Sequence, residues 1–184
     1  RKTNMALVRS LVKLLFSIFA LLVLIGVFLP SEVEVERSVD IDAPASRIFP
    51  AINGMKAFNR WSPWADLDPT TQYIFEGPDR GVGSKMTWSS GTAGVGSGSQ
   101  VIVASIVNER VETEMDFGED EKGHSTIELL PSGSGTRVRW KFRTTFGWDL
   151  FGRYFGLFLD QLLGPSYETG LNNLKQRIEK PTGE

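Results

Sequence analysis

The sequence predicts an α+β fold: an antiparallel sheet of short-looped strands and one long carboxyl-terminal helix, with a single transmembrane helix ahead of them. Three observations carry that prediction. Residues 14–29 read LLFSIFALLVLIGVFL, an almost unbroken apolar run. Between Glu32 and Thr144, strand-length stretches alternate apolar and polar residues and are separated by Gly, Pro, Asn and Ser turn signals. From Trp148 to Lys180 the apolar residues instead recur three and four apart, the period of a helix with one buried face.

With its start near Leu11, the first helix spans about 19 residues, enough at about 1.5 Å per residue to cross a hydrocarbon core of roughly 30 Å. The expected organisation is a short tail at 1–10, a transmembrane helix at 11–30 and one folded domain at 31–184. Arg1, Lys2, Arg9 and Lys13 all precede the apolar run, and acidic residues begin only at Glu32. That asymmetry predicts a single-pass protein of the cell (inner) membrane, with a cytoplasmic amino terminus and the domain on the periplasmic or extracellular side. A cleaved secretory signal is the rival reading. Its apolar region normally runs about 7–15 residues and ends in a small-x-small cleavage site, whereas this run closes on Phe28, Leu29 and Pro30.

The roughly 150 residues after Pro30 are enough for one domain with a sizeable core. They hold 16 of the 20 basic side chains and all 22 acidic ones, a net charge near −6. This argues against nucleic acid, whose affinity rests mainly on neutralised phosphates. The chain has no cysteine, which removes disulfides, thiol catalysis and thiolate metal sites together. A triad or histidine metal cluster would have to be built around His124, the only histidine, whose position after Lys122-Gly123 reads as an exposed hairpin. Asp66 and Asp68 sit in a loop beside Pro69 with too few converging ligands for a metal ion. No metal and no cofactor is expected.

The first strand, Glu32 to Asp42, puts Val33, Val35, Val39 and Ile41 on one face and carboxylates on the other. A helix of about ten residues opens at Ala43-Pro44, buries Ile48, Phe49 and Ile52, and stops at Asn53-Gly54. Six further strands are expected at residues 72–76, 84–89, 97–106, 109–117, 124–130 and 136–144, joined by connections too short for the crossover helix that a parallel sheet needs. The glycine-rich stretch at 91–99 lacks the Lys-Ser/Thr of a phosphate loop and reads as a turn. In the last strand Arg137, Arg139, Lys141 and Arg143 share one face. Four like charges in a row need opposite charges on neighbouring strands, which Glu32, Glu34 and Glu36 of the first strand could supply, as could Glu112, Glu114 and Asp116 two strands earlier with Glu128 between; the first strand is expected beside the last. In the terminal helix, Gly164-Pro165 is expected to cause a kink or a break.

Four segments, SVDIDAPASRIFPAI (38–52), NRWSPWADLDP (59–69), FEGPDRGVGSKMTW (75–88) and GLNNLKQRIE (170–179), resemble the SRPBCC, or polyketide cyclase-like, superfamily of START-related and Bet v 1-like proteins, in its bacterial branch with an amino-terminal membrane helix. The resemblance covers Val33 to Ile178. It implies a helix-grip fold, in which a curved antiparallel sheet wraps the long carboxyl-terminal helix and encloses a hydrophobic cavity. It also gives Trp61, Pro63 and Trp64 the role of an aromatic turn that locks a loop to the sheet or lines the cavity entrance, and makes Gly170 a point of close approach between helix and sheet.

Placed in such a cavity, the ligand-binding residues are Trp88, Met115, Phe117, Trp140 and Phe142 from the sheet, with Phe151, Tyr154, Phe155, Phe158 and Leu162 from the helix. The inward faces read as almost wholly apolar: Val101 and Val103, or Ile102 and Ala104 in the other register, then Met115, Phe117, Ile127, Leu129, Val138, Trp140 and Phe142. Tyr154 and Asp160 are candidates for orienting a ligand, and no residue is assigned a catalytic role. The expected function is binding or carriage of a lipid or other hydrophobic small molecule by a membrane-tethered domain. The alternatives are a cyclase, hydratase or hydrolase acting on an apolar substrate, and a non-catalytic module that brings a protein partner to the membrane.

Overall fold

The computed structural model describes residues 2–92, 94–118 and 122–180. A helix α1 (Lys2–Phe28) is followed almost at once by strand β1 (Glu32–Ile41) and three short helices, α2 (Ala45–Ile52), α3 (Met55–Asn59) and α4 (Pro63–Leu67). Six strands come next: β2 (Gln72–Glu76), β3 (Lys85–Ser89), β4 (Ser97–Ile106), β5 (Arg110–Asp116), β6 (Lys122–Ser132) and β7 (Gly135–Thr145). Helices α5 (Leu150–Gly156) and α6 (Leu159–Glu179) end the fold. In α1 the helix starts ahead of Leu11, and its stretch Leu7–Phe28 is long and apolar enough to cross a membrane, with nearly all its side chains exposed.

The strands form one antiparallel sheet in the order β1-β7-β6-β5-β4-β3-β2. β2 to β7 make a meander, and β1 returns to the edge beside β7, from Glu32 opposite Thr145 to Ile41 opposite Thr136. The charge pattern therefore named the right neighbour. On the outer face Arg143 meets Glu34 at 2.8 Å and Arg137 meets Asp40 at 2.9 Å, while Arg139 and Lys141 each lie between Glu36 and Glu128 at 3.4–3.7 Å. His124 is exposed on this face, within β6 and between Glu114 and Arg143, rather than in a hairpin turn.

The inner face carries the core, and three of its features depart from the expected pattern. β4 has a bulge between Ile102 and Ala104. Before it, Gln100 and Ile102 point inward, and beyond it Ser105 does, opposite the buried Val111, so of the two registers read from the sequence only Ile102 is inward, while Val101 and Ala104 pair with Glu114 and Glu112 of the outer face and Val103 is exposed. The inner face is also more polar than expected, since Gln100, Thr113 and Ser125 are all buried there.

Arg37 is the third departure. Alternation places it inward between Val35 and Val39, opposite Trp140. Its guanidinium makes a bidentate pair with Asp160 at 2.8 and 3.0 Å and reaches Glu168 at 2.8 Å. Asp160, Gly164 and Glu168 are four residues apart on one face of α6, and any side chain at Gly164 would collide with the guanidinium. This clasp, with Lys175 Nζ donating to the Asp40 carbonyl at 2.7 Å, lays α6 along β1.

The terminal helix is interrupted earlier in the chain than expected. Pro165 lies inside a continuous α6, where its missing N–H removes one helix bond without ending the helix. The break falls at Leu157 and Phe158, whose N–H groups bond to carbonyls three residues back in a tightened turn.

Candidate functional site

Between the sheet and α6 lies a cavity of about 160 Å³. Its walls are Phe58, Asn59, Ser62 and Trp64 from α3 and α4, Tyr73, Met86 and Trp88 from β2 and β3, Gly94 and Val95 from the following loop, Gln100, Met115, Phe117 and Phe142 from the remaining strands, and Leu163 and Tyr167 from α6. Strand register gives its place in the fold. Glu32 opens β1 opposite Thr145, and Thr144, Gly123, Met115 and Gln100 follow across successive strands, while Tyr73 faces Trp88 and Trp88 faces Gly98. Tyr73, Trp88, Gln100, Met115, Phe117 and Phe142 thus cluster at one end of the sheet, the end at which the chain leaves α1. The exposed members, Phe117 and Gly94, mark the mouth.

Aromatic packing builds the floor. The Tyr167 ring stacks on Trp140 with centroids 4.0 Å apart, and Phe58, Trp61 and Trp64 meet Trp140 edge-on at 5.2–6.0 Å. Trp61 is buried and donates its indole N–H to the Ala51 carbonyl at 2.9 Å, so it locks the loop, whereas Trp64 lines the cavity. Gly123 leaves room for the Phe142 ring, which lies where a side chain on residue 123 would be.

The polar groups are few and nearly all paired. Gln100 Nε2 donates to the Thr113 hydroxyl at 2.8 Å, and the Trp140 indole N–H donates to the Ser125 hydroxyl at 2.8 Å. Burial pushes the Tyr167 phenol well above its ordinary pKa, only partly offset by a hydrogen bond with Ser125, and burial raises Tyr73 as well. The two titratable groups of the described lining are therefore neutral phenols near neutral pH. Asn59 contributes to the lining, with its Oδ1 buried and without a hydrogen-bond partner. Near the mouth, Asp68 accepts hydrogen bonds from Ser90 Oγ, from Thr70 N and Oγ1 and from Thr92 Oγ1. The Ser90 hydroxyl first, then Thr70, holds its carboxyl well below the usual carboxylate range. Asp68 thereby ties the loop carrying Gly94 and Val95 to the end of α4.

Of the residues expected to bind a ligand, Trp88, Met115, Phe117 and Phe142 line this cavity. Trp140 lies beneath it in the floor, 1% exposed. Phe151, Phe155, Phe158 and Leu162 are not brought to it: all four are more than half exposed on the outside of the domain. Tyr154 turns to α1, donating its hydroxyl to the Leu22 carbonyl at 2.6 Å. Asp160 is spent on Arg37. The break before α6 explains the difference, because a single helix through residues 148–180 would have put these aromatics in line with Leu163 and Tyr167. Trp64, one of the residues read as locking the loop or lining the entrance, does line the cavity, while Tyr73 and Gln100 were not among the expected lining residues. Tyr73 alternates with Phe75 in a strand the sequence did reveal, so its inward side was readable, and Gln100 shares the parity of Ile102 in one of the two registers that the sequence left open.

The chain matches the family described as polyketide cyclase / dehydrase and lipid transport over residues 32–179. It belongs to that family. Polyketide cyclase / lipid transport domains are hydrophobic-ligand and lipid-binding domains at the family level, and the match leaves α1 outside. Among solved structures, one from Thermobifida fusca superimposes with a TM-score of 0.61 at 18% identity, covering 79% of this chain and 92% of its own. TTHA0849 of Thermus thermophilus gives 0.60 at 18% identity, covering 82% and 99%. CV1439 of Chromobacterium violaceum gives 0.57 at 17% identity, covering 83% and 100%. These likenesses show the shared helix-grip fold. A comparison with curated proteins finds no match.

Proposed function

We propose that this protein is a membrane-tethered carrier that takes a lipid or another hydrophobic small molecule from the bilayer into the cavity between its sheet and α6. The observation that carries this reading is the position of the cavity: its lining clusters at the end of the sheet where α1 joins. An acceptor of bilayer molecules needs its mouth there, and a domain that merely hangs from an anchor does not. Two facts support retention of α1 as an anchor. Its side chains are exposed, unlike those of a core helix, and the buried Arg153 donates to the carbonyls of Gly26, Val27 and Leu29, so the helix end is built into the domain.

The volume limits the cargo. About 160 Å³ is close to the roughly 150 Å³ of a dry protein cavity that accepts benzene. It takes a ring or a short stretch of acyl chain, with the remainder of a longer molecule passing through the mouth beside Phe117. No carboxylate, histidine or lysine is present among the described lining residues to act as a general base near neutral pH, which favours carriage over the enzyme reading.

The test uses the full chain in vesicles and an environment-sensitive fluorescent fatty acid as probe. Binding is expected in the wild type and a loss of about tenfold or more in Met115→Trp, which fills the void, with the urea midpoint retained. Equal binding by the filled variant, or none by the wild type, overturns the proposal.

A further inference from the structure

Helix α5 turns its apolar side away from the domain. Gly152 and Gly156 are buried against Phe146 and Val33, with no room for a side chain at either position. The residues around them therefore face outward: Phe151 is 88% exposed, Trp148 80%, Phe158 56% and Phe155 52%. This patch is continuous with α1. The Tyr154 hydroxyl bonds to the Leu22 carbonyl at 2.6 Å, and the Tyr154 ring lies over Gly26, where an added Cβ would come within 3.2 Å of it. Leu22 precedes the end of α1 by about 9 Å of helix. Thus α5 lies alongside the last turns of α1, not beyond them.

The polar side chains of α5 are sealed. Arg153, its one charged residue, is buried, and its guanidinium donates to the carbonyls of Val27 at 2.8 Å, Leu29 at 3.2 Å, Gly26 at 3.3 Å and Gly147 at 2.9 Å. It thereby satisfies carbonyls that the end of α1 would otherwise leave without partners. Tyr154 is satisfied by Leu22. A segment that enters hydrocarbon must pair its polar groups internally and show lipid only apolar surface, and Trp beside such a surface belongs at the headgroup level. Just past the patch, Asp160 is 58% exposed and held by Arg37, which sets a polar limit to it.

We infer that α5, through Trp148, Phe151, Phe155 and Phe158, enters the domain-side leaflet beside α1 and forms a second contact between this protein and the bilayer. The inference rests on the proposed membrane anchor. The occupant is lipid because α1 runs beside the patch for its last two turns. A protein partner covering α5 would have to displace the lipid around α1 as well.

The absence of cysteine allows single nitroxide labels on the full chain in vesicles of phosphatidylethanolamine and phosphatidylglycerol. At Phe151→Cys and Phe155→Cys, oxygen accessibility is expected to exceed that of a water-soluble nickel chelate about tenfold, as at Leu15→Cys inside α1, because the chelate is excluded from hydrocarbon. Ile74→Cys, at an exposed position on β2, should show the reverse. Trp148→Cys serves as a third reporter should one variant fail to fold. Labels on α5 that read like Ile74 while Leu15 reads as lipid overturn the inference and leave the anchor standing. A Leu15 label open to the chelate overturns the anchor and the inference together. Labels on α5 shielded from both reagents reveal a protein contact and also overturn it.

Discussion

The two ends of the sheet's inner face are built from the same elements and finish differently. Away from α1, Ile41, Ile48, Ile52, Val111, Leu129, Val138, Leu171 and Leu174 close into a core with little exposure at any of them. At the α1 end, larger side chains, Tyr73, Trp88, Met115, Phe117 and Phe142, surround a void. The contrast teaches that the cavity does not come from small residues. Branched aliphatics interlock against the short helix α2, whereas flat rings braced on Trp140 and on Gly123 hold one another apart.

The comparison breaks first at its boundary. Trp140 floors the cavity and meets Phe58, Trp61, Trp64 and Tyr167, so Trp140→Ala is expected to cost about 3–5 kcal/mol. Urea unfolding of the detergent-solubilised chain measures it, and a cost near zero would mean the rings do not hold the floor. Leu174→Ala at the closed end should cost about 2–5 kcal/mol, and Leu163→Ala beside the void only about 1 kcal/mol, because part of its surface already lacks packing partners. Equal losses would erase the difference between the ends.

The outer face is the same at both ends and serves as a control. Lys141, between Glu36 and Glu128, is expected to lose about 1 kcal/mol on Lys141→Glu at low salt and less in concentrated salt. A salt-independent loss would point to packing instead of charge. The smallest effect concerns the mouth. The Asp68 carboxyl is held below its ordinary range when folded, so its contribution is full above the unfolded pKa near about 3.9 and is lost as pH falls from there toward the folded value. Asp68→Asn should flatten that acid-side decline in the urea midpoint. An unchanged slope would remove Asp68 as the tie between the loop and α4.

Much of the fold was legible because it depends on local period. Alternation in residues 32–42 and 136–144, with opposite charges on their outer faces, made the first strand a candidate neighbour of the last, and the family resemblance pointed the same way. Gly170 was readable too, and a side chain there would meet Pro63 and Trp140 at 2.9 Å. The site was half legible. Trp88, Met115, Phe117 and Phe142 followed from strand parity, whereas Gln100 shares the parity of Ile102 and waited on a choice between two registers that the sequence left open. The aromatics of residues 151–158 have the right period for the gripped helix and the wrong fate, since the turn at Leu157 and Phe158 re-aims the segment. Parity alone put Arg37 inside, and Asp160 and Glu168 flank Gly164 at helical spacing, yet nothing local joins residue 37 to residue 160.

The connection at the end of α1 has a mechanical meaning. Only Leu29, Pro30 and Ser31 separate α1 from β1, Phe146 N bonds to the Ser31 carbonyl at 2.7 Å, and Arg153 grips the helix end from the side. A flexible leash would let the domain tumble through a hemisphere and present its mouth at random. This joint behaves as a bracket. Under the proposed tether, the remaining freedom is lateral drift and spin in the plane of the membrane, so meeting a cargo becomes a two-dimensional search with the opening's tilt already set. Lengthening the joint with flexible residues would slow loading without altering the cavity.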